Sequence, residues 1–230
     1  MITVILPAYN EGKILRRNVS ELERVLEGQL KSFEIIISED GSTDDTVAVA
    51  KELENGRIRL LEGSFRLGKG AAIKRAVTYA KGDVIIFMDA DLASDPSQVK
   101  ELTHHIENGA DIVIGSRYLR GSKATRNIIR YIASRSYNFL VRLLLGSKLS
   151  DHQCGFKCFK KRAAIPIIKK VDNNQWFWDT EFLVRAQHAG LRIVETPIQW
   201  EESPTSQFHL IRDAYTMGKN LILFKLKGES

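Results

Sequence analysis

Two cysteines, Cys154 and Cys158, are all that the 230-residue chain contains, so it has no disulfide framework to lean on; a reduced thiol pair is expected. No apolar run approaches the ~18 residues of a membrane-spanning helix. Met1 leads straight into the strand-like run Ile2 to Leu6, so no leader peptide is expected. Internal repeats and low-complexity linkers are missing too. With 43% hydrophobic and 27% charged residues, the composition is that of a globular chain able to bury a sizeable core. Disorder, collagen and coiled coil are excluded as global descriptions.

The sharpest absence is local. From Arg117 to Ser150 there are eight basic residues and no acid. Across the chain 34 Lys and Arg face 28 Asp and Glu, a net charge of +6. The excess is uneven: residues 1–115 hold 14 basic and 19 acidic residues, and residues 116–230 hold 20 and 9. Such a basic face is either solvated or meets an anionic partner: nucleic acid, phospholipid or a phosphorylated substrate. Between the charges lie Ile128, Ile129, Tyr131, Ile132, Tyr137, Phe139, Leu140, Val141 and Leu143 to Leu145, a filling suited to a membrane interface.

What is present in the first half is alternation of strand and helix. Apolar runs at 2–6, 34–38, 57–61, 83–88 and 111–115 predict five strands. Leu15, Val19, Leu22, Leu26 and Leu30 recur at helical spacing. Further helices are expected through Leu53, from Ala71 to Ala80, and from Asp95-Pro96 through Ile106. This order predicts βαβ units and a mostly parallel α/β sheet. The second half predicts a helix over 127–145, a Gly- and Cys-containing turn, and helices near 163–169 and 179–188. Short strands around Pro197 and an amphipathic helix over 210–226 complete it. We expect one domain, 1–230, with an acidic half, 1–115, and a basic, aromatic-rich half, 116–230.

Asp89-Ala90-Asp91 directly follows the strand Val84 to Met88. Ligands of open parallel sheets bind beyond the carboxyl ends of the strands. Two carboxylates one residue apart at such an end can share a hard cation, Mg²⁺ or Mn²⁺, with substrate phosphates completing its shell. Two other strand ends carry Pro7-Ala8-Tyr9-Asn10-Glu11 and Glu39-Asp40-Gly41-Ser42-Thr43-Asp44-Asp45. A Tyr ring and carboxylates there suit a nucleoside, although Glu11 and Asp44 equally suit helix N-termini. Lys69 between Gly68 and Gly70 is like a phosphate loop without the Walker spacing. Cys154 and Cys158 are i, i+4 if helical, but zinc is not expected without further ligands.

These motifs, with Gly115-Ser116-Arg117, Asp151-His152-Gln153-Cys154-Gly155-Phe156-Lys157 and Trp178-Asp179-Thr180-Glu181, stand in the order and spacing of the inverting family 2 glycosyltransferases. The chain resembles their polyprenyl-phosphate branch, the dolichyl-phosphate glucose and mannose synthases, over nearly its whole length. The resemblance implies a GT-A fold. It implies that Pro7, Tyr9 and Glu11 hold the nucleoside, with Ile37, Glu39 and Asp40 on the opposite wall. Lys69, Asp89, Ala90 and Asp91 would meet the nucleotide sugar, Asp89 and Asp91 flanking the metal. Arg117 and Arg130 would meet phosphate oxygens, and Asp91, Arg117, Arg130 and Asp179 would carry the reaction; apart from the resemblance, Arg126 lies four residues before Arg130 on the same helix face and is a further cation for an acceptor phosphate. Three departures stand out: Ala93 replaces a Gln often found there, Glu39 replaces an Asp, and Thr205-Ser206-Gln207 lacks the usual Lys.

The chemistry is coherent without the resemblance. A sugar leaves a nucleoside diphosphate once the diphosphate charge is neutralised by a metal and arginines. A lipid monophosphate is already ionised and needs little from a general base, but it needs cations. The expected partners are therefore a nucleotide sugar (UDP-glucose or GDP-mannose), a polyprenyl phosphate and the cytoplasmic face of a membrane, with no nucleic acid. A soluble glycan acceptor is the alternative. A nucleotidyltransferase would carry a Gly-rich loop after the first strand, where this chain has Pro7 to Glu11. Asp179 either orients acceptor or sugar or caps a helix, and Asp151 holds an arginine or the sugar.

Overall fold

The structure, a computed structural model, describes residues 1–125, 127–202 and 210–228. In chain order its elements are β1 (Ile2–Ala8), α1 (Gly12–Gln29), β2 (Phe33–Glu39), α2 (Thr46–Leu53), β3 (Ile58–Leu61), α3 (Lys69–Tyr79), β4 (Val84–Met88), α4 (Val99–Glu107), β5 (Ile112–Ser116) and β6 (Lys123–Thr125). There follow α5 (Ile128–Leu145), β7 (Phe156–Lys160), α6 (Lys161–Ile168), α7 (Trp178–His188), β8 (Ile193–Pro197), β9 (Gln199–Glu201) and α8 (Leu210–Leu226).

Seven strands form one sheet in the order β3-β2-β1-β4-β7-β5-β8, and β6 pairs with β9 alongside it. β1 lies parallel between β2 and β4. The chain thus winds outward from β1 to β3, then returns to lay β4 on the other side. That reversal opens a crevice beyond the carboxyl ends of β1 and β4, the place where open α/β sheets bind ligands.

The inner strands β2, β1, β4, β7 and β5 are buried on both faces, as a helix-covered sheet requires, and the edge strands β3 and β8 only partly. Val4 and Leu6 pack with Leu15, Val19, Leu22 and Leu26 of α1, whereas Ile5 packs with Ile73, Ala76 and Val77 of α3. The period of two in the strand thus meets the period of 3.6 in each helix. Each fully buried Leu or Ile contributes about 1.5–3 kcal/mol relative to exposure. A third cluster joins Val141 and Leu145 of α5, Phe177 and Val184 near α7, and Leu221 and Phe224 of α8.

The sheet departs from expectation at one strand. The stretch around Cys154 and Cys158, expected as a turn, contains β7, which inserts antiparallel between β4 and β5. Its two cysteines are not helical; both are free and fully buried. Burial pushes the Cys154 thiol up to about 11. The helix expected from Asp95 opens as a 3₁₀ turn, Pro96–Gln98, because Asp95 accepts from Ser97 N at 2.8 Å before α4 begins.

Candidate active site

The crevice at the sheet reversal is a cleft of about 260 Å³. Pro7, Ala8 and Tyr9 enter it from the end of β1, Asp89 to Asp91 from the end of β4, and Arg117 from the end of β5. Helices α5 and α7 add Arg130, Ser134 and Asp179. Residues distant in sequence therefore meet because the sheet gathers their strand ends on one edge.

The turn after β1 is braced by the loop after β2. Asn10 adopts a positive φ of 56°, and its side chain accepts from Thr43 N at 2.8 Å. Glu11 N donates to Thr46 Oγ1 at 2.8 Å. Glu11 reaches into the cleft, where burial first, then the Asp91, Asp89 and Asp44 charges, push its carboxyl up to about 7. Asp40 spends both oxygens on the next loop, accepting from Leu67 N at 2.9 Å and Gly68 N at 2.7 Å. Gly68 can offer that N–H because it sits at φ 112°, where a Cβ would fall 2.4 Å from Asn174 O. The loop lays the Arg66 guanidinium over the Tyr9 ring, 3.8 Å from its centroid. The cation covers one face of the ring at stacking distance.

Two residues expected on the nucleoside wall do not line this cleft. Ile37 is fully buried among Val4, Leu6 and Ile35, because its position in β2 points it under α1. Glu39 is fully buried as well; it accepts from Ser42 N and from Gly63 N at 3.1 Å. Burial raises its pKa, but these hydrogen bonds prevail and hold it below the ordinary value. Glu39 thus shapes the loop that carries Asp40.

Around Asp89-Ala90-Asp91 the chain turns tightly. Asn18 of α1 donates to Ala90 O at 2.9 Å, and Asp91 Oδ1 accepts from Ala93 N at 3.1 Å. Asp89 Oδ1 is held by Lys69 Nζ at 2.6 Å, while Gly155 presses on its other oxygen, 1.9 Å from where a Cβ would sit. Burial and the Asp89 charge push Asp91 up to about 6. Acids crowded in this way hold a store of unfavourable negative charge that a cation would relieve. Among the described residues no cluster of three or more His, Cys, Asp and Glu is shaped for a metal. The pair fits a hard divalent ion completed by phosphate oxygens better than an all-protein cage.

On the basic side, Arg117 grips Asp151 with two parallel bonds, Nε to Oδ2 at 2.7 Å and Nη2 to Oδ1 at 2.8 Å. Burial opposes the charge of each partner, yet their attraction raises the arginine and lowers the carboxylate. Arg117 also lies 5.3 Å from the Trp200 ring centroid. Arg130 pairs with Glu202, whose other oxygen accepts from Asn127 N at 3.0 Å at the start of α5. Arg126, Ser206 and Gln207 lie outside the described residues. Lys157, which the sequence offers only as a member of the Asp151–Lys157 motif with no role attached, is fully buried in β7 and donates to Asp179 Oδ1 and Cys154 O, both at 2.5 Å. Gln153 of the same motif also lines the cleft, with Arg66, Gln175, Trp176, Trp200 and Glu202, to none of which the sequence assigns a role. These residues sit in loops, at strand ends or in a short strand without periodicity.

The model of glycosyl transferase family 2 matches residues 3–167, which span the sheet edge and both carboxylates of the pair. The chain belongs to glycosyl transferase family 2. It is 42% identical over 226 residues to glycosyltransferase AglD of Haloferax volcanii, covering 96% of this chain and 36% of that protein. It is 33% identical over 222 residues to dolichyl-phosphate beta-glucosyltransferase ALG5C of Trichomonas vaginalis, covering 90% and 66%. The chain thus spans about a third of the first relative and about two thirds of the second. Among solved structures, glucosyl-3-phosphoglycerate synthase from Mycobacterium tuberculosis with Mn²⁺ and UDP-glucose superposes with a TM-score of 0.71. At 18% identity, over 100% of this chain and 78% of that one, this is a likeness of fold, and the fold is GT-A as expected.

Proposed function

We propose that this family 2 glycosyltransferase moves a hexose from a nucleoside diphosphate sugar to a polyprenyl phosphate, with inversion. The observation that carries the reading is the composition of one cleft: an acid pair and the stacked Tyr9 and Arg66 side chains on one side, Arg117 and Arg130 on the other. Tyr9, Arg66 and Asp40 would receive the nucleoside. Asp89 and Asp91 would hold Mg²⁺ or Mn²⁺, which when bound would neutralise the departing diphosphate. Arg117, already oriented by Asp151, and Arg130 would meet the anionic oxygens of acceptor or leaving group. The acceptor phosphate attacks C1 as the bond from C1 to the diphosphate oxygen breaks. No proton has to be removed from an ionised phosphate, and a single displacement inverts C1.

The relatives' names favour glucose over mannose and a dolichyl-type acceptor, and the UDP-glucose complex of the neighbouring fold favours a uridine donor. The acceptor lipid suggests a place at a membrane surface. The test is a panel of UDP- and GDP-hexoses with a short polyprenyl phosphate, with and without Mg²⁺ or Mn²⁺. Transfer from UDP-glucose that needs the metal and fails with free polyprenol is expected. Equal transfer to an uncharged glycan would overturn the acceptor assignment.

A further inference from the structure

Lys69 occupies an unusual place. It opens α3, its side chain is 12% exposed, and its Nζ lies against Asp89 Oδ1 at 2.6 Å. Phe87 and Trp176 flank it, with ring centroids 5.8 and 5.4 Å from Nζ. Asp89 has little freedom on its other side, because Gly155 leaves its second oxygen only the room of a missing Cβ. Asp91, for its part, has turned one oxygen to Ala93 N.

From this geometry we infer that Lys69 is a tethered cation that competes with the divalent metal for Asp89 and yields only when a diphosphate arrives to receive it. The inference rests on the reading that Asp89 and Asp91 hold the metal. A bare metal ion entering the cleft meets one carboxylate already neutralised and an ammonium beside it, so it binds weakly. A diphosphate brings negative oxygens into the cleft that Lys69 also lines. Lys69 can then transfer its hydrogen bond from Asp89 to a phosphate oxygen, which frees Asp89 to join Asp91 as a metal ligand. Metal and nucleotide thereby strengthen each other's binding, and linkage makes the effect reciprocal. Lys69 acts through Asp89 and the phosphate as a positioning residue.

The experiment titrates Mn²⁺ alone into the protein, following the loss of the free-ion EPR signal, and repeats the titration with UDP. Lys69→Met should bind bare Mn²⁺ at least about tenfold more tightly than wild type, the order expected when a like charge beside a cation is removed. The strengthening by UDP should shrink accordingly. Lys69→Gln, neutral but polar, should shift in the same direction even where the apolar Met disturbs packing, and Lys69→Arg, which keeps the charge, should stay near wild type. A purely structural role for Lys69 would weaken Mn²⁺ binding, not tighten it. Wild-type or weaker bare Mn²⁺ binding in both neutral variants, with Asp91→Asn abolishing it, would overturn the role of Lys69 alone. Mn²⁺ binding that survives Asp91→Asn would overturn the site and the inference together.

Discussion

Single side chains in this protein are held in states that cost stability. Asp91 is pushed up to about 6 by burial and by Asp89, so at neutral pH its ionised form is disfavoured in the folded chain. Asp91→Asn is therefore expected to keep or raise the melting temperature while lowering kcat by roughly 10²–10³-fold, the loss typical of a removed electrostatic contact. Calorimetry beside a transfer assay checks both halves. A well-folded variant with near-wild-type turnover at saturating Mn²⁺ would refute the metal assignment. His152 shows the opposite sign on a structural residue. It is fully buried, its Nδ1 donates to Asn138 Oδ1 at 2.7 Å, and its Nε2 accepts from Ser147 Oγ at 2.7 Å. Burial lowers its pKa to about 4. Its stabilisation is complete above an unfolded value of about 6.5 and is lost as pH falls toward 4, because the unfolded chain takes the proton first. The slope is up to about 1.4 kcal/mol per pH unit. Urea unfolding of wild type between pH 7 and 4.5 should show it, and His152→Gln should flatten it by about one proton.

At the scale of the element, β7 ties the site to the sheet. It carries Lys157 into a fully buried pair with Asp179 at the head of α7. Removing one partner of such a pair strands the other charge, at a cost of about 3–5 kcal/mol. Lys157→Met should lose about that much in urea unfolding, whereas Lys157→Met with Asp179→Leu should recover most of it. A single variant as stable as wild type would mean that the pair contributes no net stability. β7 is also the element that the sequence leaves least legible. The parallel strands announce themselves as apolar runs because they are buried on both faces, and Leu15, Val19, Leu22 and Leu26 announce α1 by spacing. β7 is short, follows a glycine, and carries two lysines, one of them inward. Only the distant partner, Asp179, makes an inward lysine tolerable, and pattern reading does not see distant partners. The candidate site divides in the same way. Asp89 and Asp91 are legible because they end an apolar strand. Ile37 and Glu39 mislead because neighbouring positions near a strand end face core and cleft by turns. Arg66 and Trp176 enter from loops whose placement only the fold determines.

Across the whole molecule, the basic half presents apolar side chains that the core does not take up. Val141 and Leu145 of α5 and Leu221 and Phe224 of α8 turn inward and close the third cluster, so these four are not interfacial surface. Ile128, Ile132, Phe139 and Leu143 of α5, and Ile222, Leu223 and Leu226 of α8, remain exposed. The first four recur at 4, 7 and 4 residues and so share a stripe of the helix. Arg135 and Arg142 stand exposed on α5, and Lys225 and Lys227 at the end of α8. No helix among the described residues is long and apolar enough to cross a membrane. The arrangement suits peripheral attachment to an anionic lipid surface, which would bring a polyprenyl phosphate beside Arg130 on the same helix. Each basic residue near such a surface adds about 1 kcal/mol, and salt screens that contribution within a Debye length. The protein should therefore sediment with vesicles containing anionic lipid more than with neutral ones, and less so as salt rises. Ile128→Ser with Ile132→Ser and Leu143→Ser should weaken sedimentation with little change in melting temperature, because these side chains are already outside the core. Equal recovery in the supernatant with both lipids would show that the exposed stripe does not contact a membrane. The lipid phosphate would then have to reach Arg117 and Arg130 by another route.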